Sequence, residues 1–351
     1  MPANLRVAVG ALTLKNPVIC AAGEHVLTEA GIRAALAQGV AVVVAKSINE
    51  SAAARAQLAQ TDYLAASNDW TPQSWSSGRD ANILCRSGLQ TRSCEDWIAA
   101  VTSLDREAKT QDAYVAGSLI LANLDEAVRL AKLYEAAGIR LLEFNVGTPY
   151  GDEASHGGVT TERAADKIRE QVAAVCGAVR IPVWIKLTGQ SENVSALAQA
   201  ARDGGAAAVT MIGRMLGMLP DLETMAPSLD TNLGYGGPWA LPLTCYWLAR
   251  TRKQLGKEFP LIATNGARSG EDAARMMLAG ASAVEYCSAV MTGGFGVLGE
   301  AIDSLYAYLS RQGVTAAQLT GRAADQIKTY AELPARADYW RGFVPAPTLA
   351  A

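Results

Sequence analysis

The chain lacks paired cysteines, a strong charge of either sign and long apolar runs, and each absence excludes a class of protein. Its 6 cysteines include no C-x-x-C pair, so we expect no metal or iron–sulfur site, but free thiols in a reducing cytoplasm. A net charge of −3 gives no reason to expect nucleic acid or an anionic membrane as a partner. No segment has the ~18 uninterrupted apolar residues of a membrane span.

The first residues, MPANLRVAVG, also lack the basic stretch and apolar core of a signal peptide, so we expect a cytoplasmic protein. The chain has an ordinary globular composition, 50% hydrophobic and 19% charged over 351 residues, which is enough for a large core. Because no iron–sulfur motif is visible, any electron-transfer partner must bring its own redox centres.

Eight short apolar runs recur along the chain, each followed by a polar or glycine break and an alanine-rich helical pattern. Apolar strands that alternate with helices predict a parallel sheet covered on both faces, and eight such units predict an α/β fold of the (β/α)8 TIM barrel type. A doubly wound open sheet is the alternative, but PVICAAGEH does not match the G-x-G-x-x-G fingerprint expected after its first strand. The runs lie at 17–23, 40–47, 113–120, 140–147, 181–188, 207–213, 260–266 and 282–289.

Two stretches interrupt this repeat and are predicted as long insertions after strands 2 and 6. Residues 61–97 hold three of the seven tryptophans, and residues 214–240 form the second insertion. Loops of this length in compact domains are usually lids or binding loops. We expect a single barrel domain over 1–351, with its core at about 15–312 and a C-terminal extension at 313–351.

Polar residues that follow the strands predict the place of the chemistry, because such barrels form their sites at the C-terminal ends of the strands. Lys46, Lys186 and Asn145 would be costly to bury in one cavity unless they met a ligand. The alternative is that each lysine pairs with a barrel carboxylate such as Glu143.

Glycine turns after the last two strands predict a phosphate site. TNGARSGEDA and YCSAV each place a turn before a helix start, where backbone N–H groups and the helix dipole attract a phosphate. Barrels often keep such a site after strands seven and eight, and GYGG at 234–237 adds a third loop. The alternative is that these are ordinary turn glycines.

Six segments stand in an order and at a spacing that together are specific. They are LTLKNPVICAAG, VVVAKS, EFNVGTPYG, VWIKL, GYGGPWALP and ATNGARSGEDAARMMLAGASAVEYCSA. Between about residues 5 and 310 the sequence therefore resembles the FMN-dependent dihydroorotate dehydrogenase family, which includes the related domain of dihydropyrimidine dehydrogenase. The resemblance implies an FMN-binding barrel, a flavin-dependent oxidoreductase that acts on CH–CH groups of a small molecule, and a homodimer.

The resemblance also implies that residues at the strand ends and glycine turns hold FMN. Lys186 would lie near N1 and O2, where positive charge stabilises reduced flavin. Lys46 would contact the flavin edge and take part in catalysis. The cofactor-binding positions that the resemblance implies are Ala21, Ala22, Gly23, Lys46, Ser47, Ser118, Asn145, Lys186, Gly236, Gly237, Asn265, Gly266, Cys287 and Ser288.

The substrate half of the site departs from the family pattern in three places. Where the family has Asn-x-Ser-Cys-Pro-Asn, this chain reads NVGTPY, which puts Thr148 in the position of the catalytic base and Tyr150 in place of a substrate-binding Asn. Gly213 and Arg214 replace an Asn-Ser/Thr pair, and CRSGLQT at 85–91 replaces Asn-x-x-Gly-Leu-Pro-Asn. The sequence therefore predicts hydride transfer between flavin N5 and a different small cyclic or α,β-unsaturated carbonyl or carboxylate substrate.

Four further residues are predicted on the substrate side. An unassisted hydroxyl is a poor base near neutral pH, so we expect Thr148 to act with His156 on the loop that follows. Arg214 and Arg86 are predicted to bind an anionic or carbonyl group, since a planar guanidinium suits a carboxylate. The other histidine, His25, also follows a strand and joins the substrate-binding candidates.

Three other functions stay open. One is dihydroorotate or dihydropyrimidine dehydrogenase activity proper, and another is a flavin-free barrel isomerase or lyase that uses the phosphate site for its substrate. The third is a flavin-binding subunit that depends on a separate electron-transfer partner. The sequence shows no dinucleotide fingerprint, so direct use of NAD(P)H is not predicted.

Overall fold

In the computed structural model, which describes residues 4–75, 78–148 and 162–349, eight parallel strands close into a barrel. Each strand pairs with the next along the chain and the eighth returns to the first. All eight fall within the predicted apolar runs, so the (β/α)8 barrel is confirmed. The strands are β1 (Val18–Cys20), β2 (Val42–Val44), β3 (Tyr114–Ile120), β4 (Leu142–Asn145), β5 (Val183–Lys186), β6 (Ala208–Met211), β7 (Leu261–Ala263) and β8 (Ala283–Tyr286).

The barrel strands are apolar because both of their faces are buried. In β2, all three valines are completely buried, since one face meets the barrel interior and the other meets the outer helices. β-Branched side chains suit such strands because they pack well on a pleated surface. This explains why the strands read as continuous apolar runs and not as an alternating pattern.

The helices around the barrel carry their own start and stop signals. Asn123 caps the helix Leu124–Ala137 by accepting a hydrogen bond from the backbone N–H of Glu126, and Gly138 ends the same helix in the left-handed region at φ 95°. None of the described helices is both long and apolar enough to cross a membrane. The helices are α1 (Glu29–Leu36), α2 (Ala52–Ala56), α3 (Cys94–Lys109), α4 (Leu124–Ala137), α5 (Ala165–Ala178), α6 (Val194–Asp203), α7 (Leu241–Leu255), α8 (Gly270–Leu278), α9 (Ser288–Gly293), α10 (Gly296–Gln312) and α11 (Ala316–Leu319).

The two insertions do not form separate loops but pair into one antiparallel sheet of five strands. In spatial order its strands are Met215–Gly217, Leu233–Gly236, Asn82–Arg86, Asp62–Ala66 and Pro72–Gln73. The sequence did not predict this sheet, because its outer strands are partly exposed and show no regular apolar period.

A hairpin of Val7–Val9 and Leu12–Leu14 precedes the barrel, and its buried side chains belong to the main core. Its turn residue Gly10 has a φ of +62°, and a Cβ at that position would lie 3.1 Å from the carbonyl oxygen of Ala207. Because Ala207 immediately precedes β6, the hairpin covers the N-terminal end of the barrel, away from the predicted site.

The C-terminal extension begins with α11, which packs into the core, and then continues as short turns of 3-10 helix. Arg252 of α7 pairs with Asp325 at 3.1 Å. Beyond this contact the side chains of the extension are mostly exposed.

Candidate active site

A cavity at the C-terminal ends of the strands collects most of the residues that the sequence predicted. The space between its lining atoms, counted out through the open mouth, is about 1250 Å³. The predicted residues that line it are Ala21, Ala22, Gly23, Lys46, Ser47, Asn145, Thr148, Lys186, Arg214, Gly236, Asn265, Gly266, Cys287 and Ser288.

Two predicted cofactor residues lie just behind this lining and support it. The Ser118 hydroxyl is buried and lies 2.7 Å from the hydroxyl of Ser47. The backbone N–H of Gly237 donates to Oδ1 of Asn265 at 3.2 Å. Both residues therefore hold a lining side chain in place.

Two predicted substrate-binding residues lie away from the cavity surface. Arg86 donates to the carbonyl of Leu229 at 2.6 Å. His25 lies behind Gly23: a Cβ added at Gly23 would come within 2.6 Å of the His25 ring. Burial and the charge of Lys46 lower the pKa of His25 to about 4, so the ring is neutral at physiological pH. The remaining two predicted residues are outside the described ranges: Tyr150 and His156.

The floor of the cavity, defined as Glu143, Lys186 and Glu285, comes from β4, β5 and β8. Lys186 Nζ lies 2.6 Å from Glu285 Oε2 and 3.3 Å from Glu143 Oε1. Burial acts to lower the pKa of Lys186, but the two carboxyl groups outweigh it and raise the pKa above its usual value. The pairing of Lys186 with Glu143, which the sequence left open as the alternative to ligand contact, is therefore present, and the ammonium group still lines the cavity.

The wall of the cavity, defined as Glu24, Lys46, Tyr63 and Arg214, combines strand ends with the insertions. Glu24 Oε1 accepts from Lys46 Nζ at 2.9 Å and from the backbone N–H of Gly88 at 3.3 Å, and its Oε2 accepts from the Tyr63 hydroxyl. Burial acts to raise the pKa of Glu24, but Lys46 and Tyr63 outweigh it and lower the pKa below its usual value. Glu24 is therefore ionised at neutral pH.

Arg214 reaches the cavity from the second insertion and is held by residues of the first. Its guanidinium donates to the hydroxyl of Ser87 and lies 3.8 Å from the sulfur of Cys85. The side chain crosses the backbone of Gly234, where a Cβ would come within 2.7 Å of Arg214 Cδ. The paired insertions thus place this cation at the cavity surface.

Asn145 and Thr148 form a tight turn at the end of β4. Asn145 Oδ1 accepts from the backbone N–H groups of Gly147 at 3.1 Å and Thr148 at 3.3 Å, which is the geometry of an Asx turn. Its Nδ2 lies 3.1 Å from Thr148 Oγ1. Gly147 is required because a Cβ there would lie 2.2 Å from the backbone N of Thr188. Asn145 therefore orients the Thr148 hydroxyl.

The glycine cradle, defined as Gly236, Gly237 and Gly266, packs too closely against neighbouring residues to admit a Cβ atom. A Cβ at Gly236 would lie 2.8 Å from Asn265 Oδ1, and Gly266 has a φ of +117° with only 2.6 Å between its Cβ position and the backbone N of Leu241. Bare backbone at such a turn can approach a phosphate closely. These three positions therefore present backbone without side chains, which is the chemistry that the sequence predicted for a phosphate site.

Two cysteines also line the cavity, but their thiols are not suited to act as bases. Burial raises the pKa of Cys85 and raises that of Cys287 to about 12. Both are therefore protonated near neutral pH, and a thiol is a poor proton acceptor in that state.

Sequence reasoning did not assign roles to three cavity residues: Glu24, Tyr63 and Glu285. Glu285 interrupts the apolar run SAVEYCSA just as Glu143 interrupts LLEFNVG, and a buried acid inside a strand was the signal that could have found it. Tyr63 had no comparable signal, since it stands in an insertion whose pairing was unknown.

Comparison with known proteins gives a consistent result. A sequence model of the family described as "Dihydroorotate dehydrogenase" matches residues 4–309. The dihydroorotate dehydrogenase A (fumarate) of Limosilactobacillus reuteri is 34% identical over 164 residues, which are 46% of this chain and 52% of that protein. The dihydroorotate dehydrogenase B (NAD(+)), catalytic subunit, of Methanosarcina mazei is 30% identical over 321 residues, which are 90% of this chain and 94% of that protein. The match thus spans about half the length of the first protein and nearly all of the second.

Proposed function

Because the chain belongs to the dihydroorotate dehydrogenase family, whose members are flavin-dependent oxidoreductases acting on CH–CH bonds, we propose that it has this activity with FMN as its cofactor. Its substrate is a small cyclic or α,β-unsaturated compound with a carbonyl or carboxylate group. The observation that carries the proposal is that one cavity contains the glycine cradle, the buried floor and the charged wall.

The cradle and the floor support the cofactor half of this proposal. Backbone N–H groups at Gly236 and Gly266 would hold the phosphate, and Lys186 would face the flavin ring. Bound flavin supplies an acceptor for a hydride, or the donor in the reverse direction. The protein side chains bind and orient the two reactants so that the reacting carbon meets the ring.

The wall supports the choice of substrate class. Lys46 and Arg214 both lie close enough to Glu24 to influence its ionisation, so the wall presents two cations around one carboxylate. An ammonium and a guanidinium are donors without acceptor capacity, and they suit a carbonyl oxygen or carboxylate of the substrate. Tyr63 contributes a hydroxyl to the same surface.

Thr148 is proposed to move the proton that accompanies hydride transfer. It is buried at the cavity surface and oriented by Asn145, but its hydroxyl requires a partner to act near neutral pH. His156, which lies outside the described ranges, is proposed as that partner.

The proposed function is tested first by the cofactor and then by substrate. We expect purified protein to bind FMN, and the bound flavin to be reduced anaerobically by one of a panel of dihydroorotate, dihydrouracil and related cyclic or α,β-saturated compounds. Fastest reduction by dihydroorotate would identify a dihydroorotate dehydrogenase proper. A colourless protein that takes up no FMN would refute the proposal.

The role of Thr148 is tested with the substrate found in that screen. Thr148→Val and His156→Ala are each expected to slow flavin reduction about 100-fold, the lower end of general acid–base contributions. Thr148→Ser keeps the hydroxyl and is expected to retain most of the rate. A Thr148→Val enzyme with the wild-type rate would remove Thr148 from the mechanism.

A second candidate is a catalytic subunit that depends on a separate electron-transfer partner. The name of the Methanosarcina mazei relative, which matches along 94% of its length, favours this possibility. If the protein alone turns over with substrate and a soluble electron acceptor but not with NAD(P)H or NAD(P)+, a partner is required for the nicotinamide reaction. Direct turnover with a nicotinamide would contradict this candidate.

A further inference from the structure

The floor of the cavity contains more carboxyl groups than cations. Glu143 and Glu285 have side-chain exposures of 1% and 0%, and both contact the same ammonium group of Lys186. The second oxygen of each carboxyl group, Glu143 Oε2 and Glu285 Oε1, is buried and receives no hydrogen bond from a donor in the part of the chain that the structure describes.

Two ionised carboxylates in this arrangement would leave one uncompensated negative charge. Burying such a charge is costly, and two carboxylates in contact repel each other. One oxygen of each carboxyl group lies within 3.3 Å of the same Lys186 Nζ, so the two groups are close neighbours. Burial together with the charge of Glu285 raises the pKa of Glu143 well above its usual value. One proton held by the pair would remove the uncompensated charge and make the floor neutral.

We propose that Glu143 and Glu285 share one proton and thereby cancel the charge of Lys186 beside the flavin. They act through Lys186 as positioning residues. A neutral floor stabilises the negative charge of reduced flavin less than an isolated ammonium group does, so the pair keeps the reduction potential of the bound flavin low. This inference rests on the proposed binding of FMN in the cavity.

The shared proton has a consequence that two independent carboxylates would not have. In a Glu143→Gln or Glu285→Gln variant, the remaining carboxyl group gives up the proton and stays ionised against Lys186, so the floor is neutral as before. In the double variant, Lys186 stands alone with one positive charge. Each single variant should therefore leave the reduction potential of the bound flavin nearly unchanged, whereas the double variant should raise it.

The experiment measures the midpoint potential of FMN bound to the wild type, the two single variants and the double variant. We expect the preference for reduced over oxidised FMN to change less than about threefold in each single variant. In the double variant it increases at least tenfold, which is about +30 mV for a two-electron couple. Asp105→Asn is the matched control, because Asp105 is a buried carboxylate paired with Arg140 at 2.6 Å and does not line the cavity. It is expected to leave the potential unchanged.

Two results would overturn the proposal. A tenfold increase in either single variant would mean that both carboxylates are ionised in the wild type. An unchanged potential in the double variant would mean that the pair does not tune the flavin.

A second measurement decides the matter if the double variant does not fold. The infrared spectrum of the wild type at neutral pH should show the carbonyl band of a protonated carboxyl group, and each single variant should lose it. Absence of the band from the wild type would overturn the proposal. Because this band is measured without FMN, it separates the shared proton from the proposed function, which fails instead if no FMN binds.

Discussion

The floor and the wall of the cavity both bury charged groups, but different parts of the chain build them. The floor comes from residues within the barrel strands β4, β5 and β8, and its carboxyl groups are at most 1% exposed. The wall joins residues that follow β1 and β2 to residues of the two insertions, and its Glu24 is 17% exposed. Barrel register thus sets the floor, the proposed cofactor side, while the insertions complete the wall, the proposed substrate side. Loops that vary on a constant barrel allow one fold to serve different substrates.

The largest expected effect is on the floor, where Lys186→Met removes the cation from two buried carboxyl groups. We expect a loss of about 3–5 kcal/mol in the free energy of unfolding at pH 7, measured by urea denaturation. The pKa of Glu143 is raised in the folded state, and even more so without Lys186. Folding is therefore favoured when this group is protonated, and the lost stability should return as the pH falls below its folded pKa.

The control for this prediction is Lys257→Met, which removes an exposed lysine that pairs with Asp325 at 3.0 Å. Exposed pairs contribute less than about 1 kcal/mol, so this variant should unfold nearly like the wild type. If Lys186→Met lowered the free energy of unfolding no more than Lys257→Met does, the two buried carboxyl groups would not depend on Lys186 for compensation of their charge.

The next largest effect is on the wall, where Arg214→Ala should weaken substrate binding. We expect KM to rise about 30- to 150-fold, since a charge-assisted hydrogen bond contributes roughly 2–3 kcal/mol, while the affinity for FMN stays the same. Arg214→Lys keeps the charge but loses the planar guanidinium, so its KM should lie between those of the wild type and Arg214→Ala. If Arg214→Ala lowered the affinity for FMN as well as the affinity for substrate, the floor and the wall would not act independently.

The same division explains what could be predicted from sequence. All eight barrel strands were predicted because burial on both faces leaves continuous apolar runs, and Lys186 and Asn145 were placed in the cavity because they end such strands. The contact of Glu24 with Tyr63 joins residues 39 positions apart along the chain. It depends on how the strands of the first insertion pair, with Tyr63 opposite Cys85, and that insertion has no apolar period that reveals a strand.

Tyr63→Phe should have a smaller effect than Arg214→Ala, because it removes only the hydroxyl that donates to Glu24. One hydrogen bond contributes about 1 kcal/mol, so kcat/KM should fall roughly fivefold with no change in FMN affinity. Tyr306→Phe is the control, since Tyr306 is exposed on α10 and should be silent. A wild-type kcat/KM for Tyr63→Phe would mean that the Tyr63 hydroxyl does not help to organise the wall.

The smallest effect is expected for Arg86→Ala, although the sequence placed Arg86 beside Arg214 as a substrate ligand. Both arginines belong to the antiparallel sheet region, but Arg86 donates to the carbonyl of Leu229 and does not line the cavity. Its loss should change KM less than about twofold and, as its partner Asp62 is exposed, should cost less than about 1 kcal/mol of stability. Steady-state kinetics of Arg86→Ala and Arg214→Ala measured side by side test this. A KM that rises tenfold in both variants would mean that the insertions move Arg86 into the cavity when substrate binds, and the wall would then be assembled by the substrate.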